Sequence, residues 1–191
     1  MMGRLFAAAL CLALVGCGGD EAEETTAGAG ADSAAITADS AANGASATAM
    51  VRDSSGRDLG TLTLADLGDA IEVTGTLTGL APGTHGIHLH TTGRCEPDFA
   101  AAGDHWNPTS QPHGRPGSGH RGDMENITVG ADSSAMVMVK TGSGASLRGG
   151  AAPDTLLDAD GAAVVVHANA DDFTTQPSGA SGDRIACGVV Q

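Results

Sequence analysis

Between residues 48 and 191, apolar side chains recur at every second position in short runs. Ala49-Val51, Leu62-Leu64 and Ile71-Val73-Gly75-Leu77 alternate with polar neighbours, and Ile87 and Leu89 continue the pattern within Gly86–His90. Further runs lie at Ile127-Val129, Met136–Val139, Ala163–Val166 and Ile185–Val190. A period of two sends alternate side chains to opposite faces of an extended chain, so each run reads as a half-buried strand. Turn residues separate the runs at Asp53–Gly56, Pro82-Gly83, Gly130–Ser133 and Asp158–Gly161. With about eight such runs and no amphipathic helical stretch, the pattern predicts an all-β fold, an antiparallel sandwich or barrel.

Two segments fall outside this rhythm. Thr91–Asp123 is rich in Gly and Pro and carries three histidines. A loop of that length is usually functional, and metal and a disulfide are expected to order it. Residues 18–47 are Ala, Gly, Ser, Thr, Asp and Glu with almost no large apolar side chain. They cannot bury enough surface to offset the entropy of ordering and read as a disordered acidic tether.

Ahead of the tether, Arg4 precedes the apolar run Leu5 to Val15. This run is short for a membrane span and suits a signal peptide over residues 1–16. Leu14-Val15-Gly16-Cys17 resembles the bacterial lipobox, in which cleavage leaves Cys17 N-terminal and lipid-modified. The expected organisation is therefore signal peptide 1–16, lipidated Cys17 and tether to residue 47, then a folded domain over 48–191. Gly18 follows Cys17 where an Asp would retain the protein at the inner membrane, which favours the outer membrane of a bacterial cell envelope, on its periplasmic or surface side. Cys11 would leave with the signal, so Cys95 and Cys187 remain, and an oxidising envelope favours a disulfide between them.

Composition narrows the function. The formal charge is −14, and residues 48–191 carry 8 Lys+Arg against 17 Asp+Glu. Such an acidic domain is a poor partner for nucleic acid. Tyr is absent and aromatics make up 2% of the chain, so the core must be built from Val, Ile, Leu, Ala and Met.

The candidate chemistry lies in the histidines. His88 and His90 flank Leu89, and strand geometry projects both imidazoles to one face. His105, His113, His120 and Asp123 offer three imidazoles and a carboxylate, a donor set suited to tetrahedral zinc. His167, at the end of Ala163–Val166, can add a nitrogen to the His88/His90 pair, and nitrogen-rich coordination favours copper.

These residues resemble the copper/zinc superoxide dismutases over about residues 47–191. The resemblance rests on Gly83-Thr84-His85-Gly86-Ile87-His88-Leu89-His90, Ala102-Gly103-Asp104-His105-Trp106-Asn107-Pro108 and His113-Gly114-Arg115-Pro116. It continues through His120-Arg121-Gly122-Asp123-Met124, His167 with Asp171-Asp172, and Gly182-Asp183-Arg184-Ile185-Ala186-Cys187-Gly188-Val189. It implies an eight-stranded Greek-key, immunoglobulin-like sandwich with long metal-binding loops. It also implies one copper per subunit on His88, His90, His105 and His167, and one zinc on His105, His113, His120 and Asp123, with His105 shared.

By the same resemblance, Asp171 orients a histidine of each group and His85 supports the copper ligands without binding metal. Arg184 attracts and orients superoxide. His105 releases copper on reduction, takes up a proton and returns it to the departing peroxide. The implied reaction is disproportionation of superoxide to dioxygen and hydrogen peroxide by Cu(II)/Cu(I) cycling, and a homodimer is compatible with it. A non-catalytic module that buffers or delivers copper and zinc is the alternative, because affinity and turnover use the same ligands. Asp172–Asp183 contains no lysine, and acidic Asp183 precedes Arg184, so long-range steering of the anion should be weak. Trp106 stands where the family often has Phe, a neutral packing change.

Overall fold

The computed structural model describes residues 44–149 and 154–191. The expected signal peptide, Cys17 and the expected tether as far as residue 43 lie outside the described residues. Nine strands follow in order: β1 (Ser46–Asp53), β2 (Asp58–Asp66), β3 (Ile71–Thr78), β4 (Gly83–His85), β5 (Ile87–His90), β6 (Ile127–Val129), β7 (Ser134–Lys140), β8 (Ala163–His167) and β9 (Arg184–Val189). All pairings between them are antiparallel. Seven strands form one sheet in the order β5-β8-β9-β1-β2-β3-β7, and β4 pairs with β6 in a second. Among the described residues no helix is long and apolar enough to cross a membrane.

Two details depart from the sequence expectation. β1 begins at Ser46, two residues ahead of the expected domain start at 48, because Ala47 pairs with Leu64 and is buried in the core. The strand expected within Gly86–His90 is β5, and a further short strand, β4, precedes it at Gly83–His85, where the sequence predicts only a turn at Pro82-Gly83, which accounts for nine strands in place of eight. The break between them is Gly86. Its N–H donates to the Asn169 carbonyl (2.8 Å) and its carbonyl accepts from the His167 N–H (2.9 Å). His85 pairs with Ile127 of β6, and two residues later Ile87 pairs with Val166 of β8. The chain thus changes sheets at one residue. A Cβ at Gly86 would lie 3.2 Å from both Ser181 Cβ and His88 Cε1, closer than is comfortable.

Alternation holds where one face meets solvent. On β1, Ala47, Ala49 and Val51 point inward, and on β7 Ala135, Val137 and Val139 do so. With Leu62, Leu64, Ile71, Leu77, Ile87 and Leu89 they form the main core. Each buried Leu or Ile contributes about 1.5–3 kcal/mol. β8 is buried at all five positions because a loop covers its outer face. There Ala163 and Val165 pack with Ala102, Cys187, Cys95 and Phe99.

That covering comes from the long loop after β5, which is more ordered than its composition suggested. Phe99–Ala102 forms a short 3₁₀ turn capped by the Asp98 carboxylate, which accepts from the Ala100 N–H (2.9 Å). Trp106 packs into the main core. Cys95 and Cys187 are bonded, tying the loop to β9 across 92 residues of chain.

Candidate metal centre

Three backbone hydrogen bonds draw the site together. The Leu89 N–H donates to the Gly122 carbonyl (3.0 Å), the Trp106 N–H to the Leu89 carbonyl (2.8 Å), and the Gly122 N–H to the Trp106 carbonyl (2.8 Å). Each of these residues is adjacent in the chain to a candidate ligand: His88 and His90, His105, and Asp123. The triangle therefore fixes three pieces of chain at once, and His88 faces Asp123 and His90 faces His105 in bridge pairings. Gly122 is required for this approach, since a Cβ there would run into the Leu89 carbonyl oxygen.

Two groups of donor atoms result. His88, His90, His105 and His167 converge, as do His105, His113, His120 and Asp123, each set with ligand atoms within 4.8 Å of one another. In the first group the His88 and His105 rings lie 3.9 Å apart, and His88 and His167 4.9 Å. In the second, His105, His113 and His120 are mutually 5.4–5.5 Å apart. His105 belongs to both. All seven residues are buried.

The partners of the rings fix which nitrogen is left over. His90 Nδ1–H donates to the Gly103 carbonyl (2.9 Å) and His167 Nδ1–H to the Gly182 carbonyl (3.3 Å). His88 Nε2 and His113 Nε2 meet the two oxygens of Asp171, at 2.7 and 2.9 Å. An imidazole that donates from one nitrogen presents a lone pair at the other.

Among the described residues, seven buried side-chain polar atoms lack a hydrogen-bond partner. Six are histidine nitrogens: Nδ1 of His88, Nε2 of His90, His105 and His167, and Nδ1 of His113 and His120. The seventh is Ser181 Oγ. Buried polar atoms are almost always satisfied, so six unpartnered ring nitrogens gathered in two clusters indicate cations. The first cluster offers four imidazole nitrogens and no carboxylate, a set suited to copper. The second offers three imidazoles and Asp123, a set suited to zinc.

Electrostatics agree. Burial holds His90 well below its ordinary range and brings His105 down to about 4 and His167 to about 3, so these rings are neutral near pH 7. His113 goes the other way. Burial opposes its charge, but the carboxylates of Asp123 and Asp171 outweigh that and raise it to about 9. Asp123 is held far below the usual carboxylate range. Burial works against its charge, but contacts with His105, His113 and His120 and the Gly114 N–H prevail. Asp171 is depressed likewise, with His113, His88 and the Phe173 N–H outweighing its burial.

The remaining predicted residues sit around these clusters. His85 is buried behind the first cluster, with Nδ1 2.8 Å from the His167 carbonyl and Nε2 2.9 Å from that of Ala81. Arg184 opens β9, three residues before Cys187, and its guanidinium donates to the Phe99 carbonyl (2.7 Å). Its positive charge is one of the influences that keep His90 and His167 unprotonated, which places it within electrostatic reach of the first cluster.

Sequence reasoning missed the carbonyls of Gly103 and Gly182, the triangle through Gly122, and two amide side chains described below. Backbone acceptors carry no residue signature, and no motif marks the amides.

Comparisons with known proteins agree with this geometry. The family model for copper/zinc superoxide dismutase (SODC) matches residues 59–190. A superoxide dismutase [Cu-Zn] from Caulobacter vibrioides is 41% identical over 150 residues, 76% of this chain and 86% of the relative. A superoxide dismutase-like protein, YojM, from Bacillus subtilis is 38% identical over 126 residues, 64% of this chain and 63% of that protein. A solved SOD-like protein from Bacillus subtilis superimposes with a TM-score of 0.67 at 33% identity, covering 75% of this chain and 97% of that one. With its family model matched over most of the folded domain and its two histidine clusters in place, the chain belongs to the copper/zinc superoxide dismutase family, a family of oxidoreductases.

Proposed function

We propose that His88, His90, His105 and His167 hold copper, that His105, His113, His120 and Asp123 hold zinc, and that the chain disproportionates superoxide at the copper. The six orphaned nitrogens in two clusters that share one ring carry this reading. Copper held there would supply the one-electron chemistry of the Cu(II)/Cu(I) couple, by which one superoxide is oxidised to dioxygen and the next is reduced, with uptake of two protons, to hydrogen peroxide.

The chain's own residues do the rest. Arg184, pinned on the Phe99 carbonyl, holds a cation at a fixed place beside the cluster and so attracts and orients the anion. The His105 ring lies at the junction of the two clusters, and its Nε2, which faces the first, is the atom at which a proton can be held and released. Asp171 fixes one ring of each cluster by accepting from both. His85 steadies the main chain of His167.

Location belongs to the same proposal. The lipobox-like Leu14–Cys17 supports a lipid anchor at Cys17, placing the domain at a bacterial envelope membrane, the outer one favoured by Gly18. Replacing Cys17 with Ala should move the protein from the membrane to the soluble fraction; retention on the membrane would refute the anchor.

A second reading is a copper- and zinc-binding module without turnover. A relative named only as superoxide dismutase-like favours it. A variant of the Bacillus subtilis SOD-like protein in which a tyrosine and a proline are replaced by histidine has been solved, at 36% identity and a TM-score of 0.66 over 74% of this chain and 95% of that one. This chain keeps every ligand and Arg184, and metal storage does not need Arg184. Protein loaded with copper and zinc and assayed for superoxide removal decides. Full copper occupancy without turnover would overturn the catalytic reading, and His105→Ala should remove both activity and the coupling between the metals.

A further inference from the structure

The loop that follows β8 lies against the loop that carries His113, and two side-chain amides join them. Gln176 grips the main chain of His113 at both ends: its Oε1 accepts from the His113 N–H (2.8 Å) and its Nε2 donates to the His113 carbonyl (2.9 Å). Nε2 also reaches the Thr174 carbonyl at 3.3 Å. Asn126, on the other loop, grips Asp171 in the same two-point manner, accepting from its N–H (2.8 Å) and donating to its carbonyl (2.9 Å). Each loop therefore holds a backbone unit of the other. Between the two grips the Arg115 guanidinium lies 4.3 Å over the Phe173 ring. Phe173 adopts φ +59°, uncommon for a residue with a side chain, while its N–H donates to Asp171 Oδ1 (2.6 Å).

We propose that Gln176 is a positioning residue for the zinc cluster, acting through His113. Fixing both main-chain polar groups of one residue leaves its ring little freedom. For His113 that freedom matters twice, because Nδ1 is an orphan aimed at the zinc cluster and Nε2 must meet Asp171. Without the Gln176 grip, His113 would have to be ordered by the metal itself, and its affinity would fall by that cost. Gln176 lies 63 residues from His113 in sequence and in neither cluster, and it touches no ligand of the first cluster. Its loss should therefore separate the metals, weakening zinc and sparing copper. Because Gln176 belongs to the segment leading to Arg184, zinc retention and the placement of that segment become linked.

The inference rests on the zinc ligand set proposed above. The test uses the full domain with copper bound, and reads zinc affinity by chelator competition. Cobalt(II) placed at the zinc cluster gives a ligand-field spectrum as an independent readout. Gln176→Met keeps length but removes both hydrogen bonds, and should raise the zinc Kd about 10-fold, as loss of a group that orients a metal ligand typically does, and shift the cobalt bands. Copper Kd should change less than about 3-fold. Gln176→Asn, one methylene too short to reach both groups, should behave alike. Gln111→Met, in the same loop as His113, should change nothing.

Unchanged zinc affinity in both Gln176 variants would overturn the inference. So would equal weakening of zinc and copper together with a lower Tm, which is the signature of general destabilisation. A His120→Ala protein that keeps full zinc affinity would instead overturn the ligand assignment, and this inference with it.

Discussion

Removing the metals should make this domain's stability strongly pH-dependent on both sides of pH 6.5. In the metal-free fold, His105 and His167 stay neutral down to about pH 4 and about pH 3, whereas in the unfolded chain they take protons near 6.5. A histidine depressed on folding contributes stability above its unfolded value and loses it as pH falls toward its folded value. At up to about 1.4 kcal/mol per pH unit, each ring would lose roughly 2–3 kcal/mol between pH 6.5 and 4.5. The rings share a cluster and do not add fully, so the combined loss is about 4 kcal/mol. A domain's whole stability is about 5–15 kcal/mol.

For a chain of this size that loss corresponds to a fall in Tm of roughly 10 °C. Asp123 and Asp171 add nothing in this window, since both stay ionised well below it. His113 acts in the opposite direction. Raised to about 9, it contributes stability below 6.5 that is lost as pH climbs through 9. The metal-free Tm, measured by calorimetry from pH 4.5 to 9.5 after chelation, should peak near 6.5. Saturating copper and zinc should flatten the curve between about pH 6 and 9, because ligated nitrogens cannot take protons. A metal-free Tm that is level from pH 6.5 to 4.5 would refute the burial argument for these rings. A level course from 6.5 to 9 would refute the pairing of His113 with its two carboxylates.

Other perturbations separate the parts of the site. Asp171→Asn leaves one of His88 and His113 facing an amide N–H. Chelator titration should show copper and zinc both weakened 10- to 100-fold, and unchanged affinities would show that Asp171 does not orient the rings. Gly122→Ala forces a Cβ into the Leu89 carbonyl and opens the triangle, so denaturant unfolding should show a loss of more than about 2 kcal/mol. Parental stability would mean that the strand edge absorbs the methyl group. The superoxide removal rate should vary little with ionic strength, since the domain is acidic and Asp172–Asp183 has no lysine; a steep fall with salt would reveal a long-range attraction that Arg184 alone does not supply.

Much of this arrangement was readable from residue types alone. Period-two runs located the strands because β1, β3 and β7 each bury one face, and the alternation records which. The seven donor residues were readable because imidazoles and a carboxylate are the chemistry itself. What sequence could not show is what each ring does with its second nitrogen. His90 and His167 spend it on the carbonyls of Gly103 and Gly182, groups that every residue carries. The short strand β4 was hidden for a similar reason. Its three residues Gly83-Thr84-His85 follow turn-forming Pro82 and include no large aliphatic side chain, so they read as loop. Likewise Gln176 and Asn126 look like ordinary polar loop residues until the fold brings each opposite a backbone 63 or 45 residues away.

The histidine chemistry follows from burial and from the partner that each ring meets. Three rings of the first cluster are kept neutral by desolvation, and their remaining protons are tied to carbonyls or, for His105, face Asp123 Oδ1 at 2.9 Å. Each can therefore bind a cation at Nε2 near pH 7 without first surrendering a proton from that nitrogen. His113 cannot, because its two carboxylates favour the doubly protonated ring, and a cation at Nδ1 must displace a proton. His105 stands between these cases. It shares its Nδ1 with the carboxylate of the zinc cluster and turns Nε2 to the copper cluster, where burial disfavours a second proton in the resting fold. A proton can stay at Nε2 only while that nitrogen is not engaged by metal, and it leaves readily when a stronger base arrives. In the mechanism proposed above, His105 is thus suited to hold a proton transiently, and the clamps on Asp171 and His113 would keep its neighbours in place.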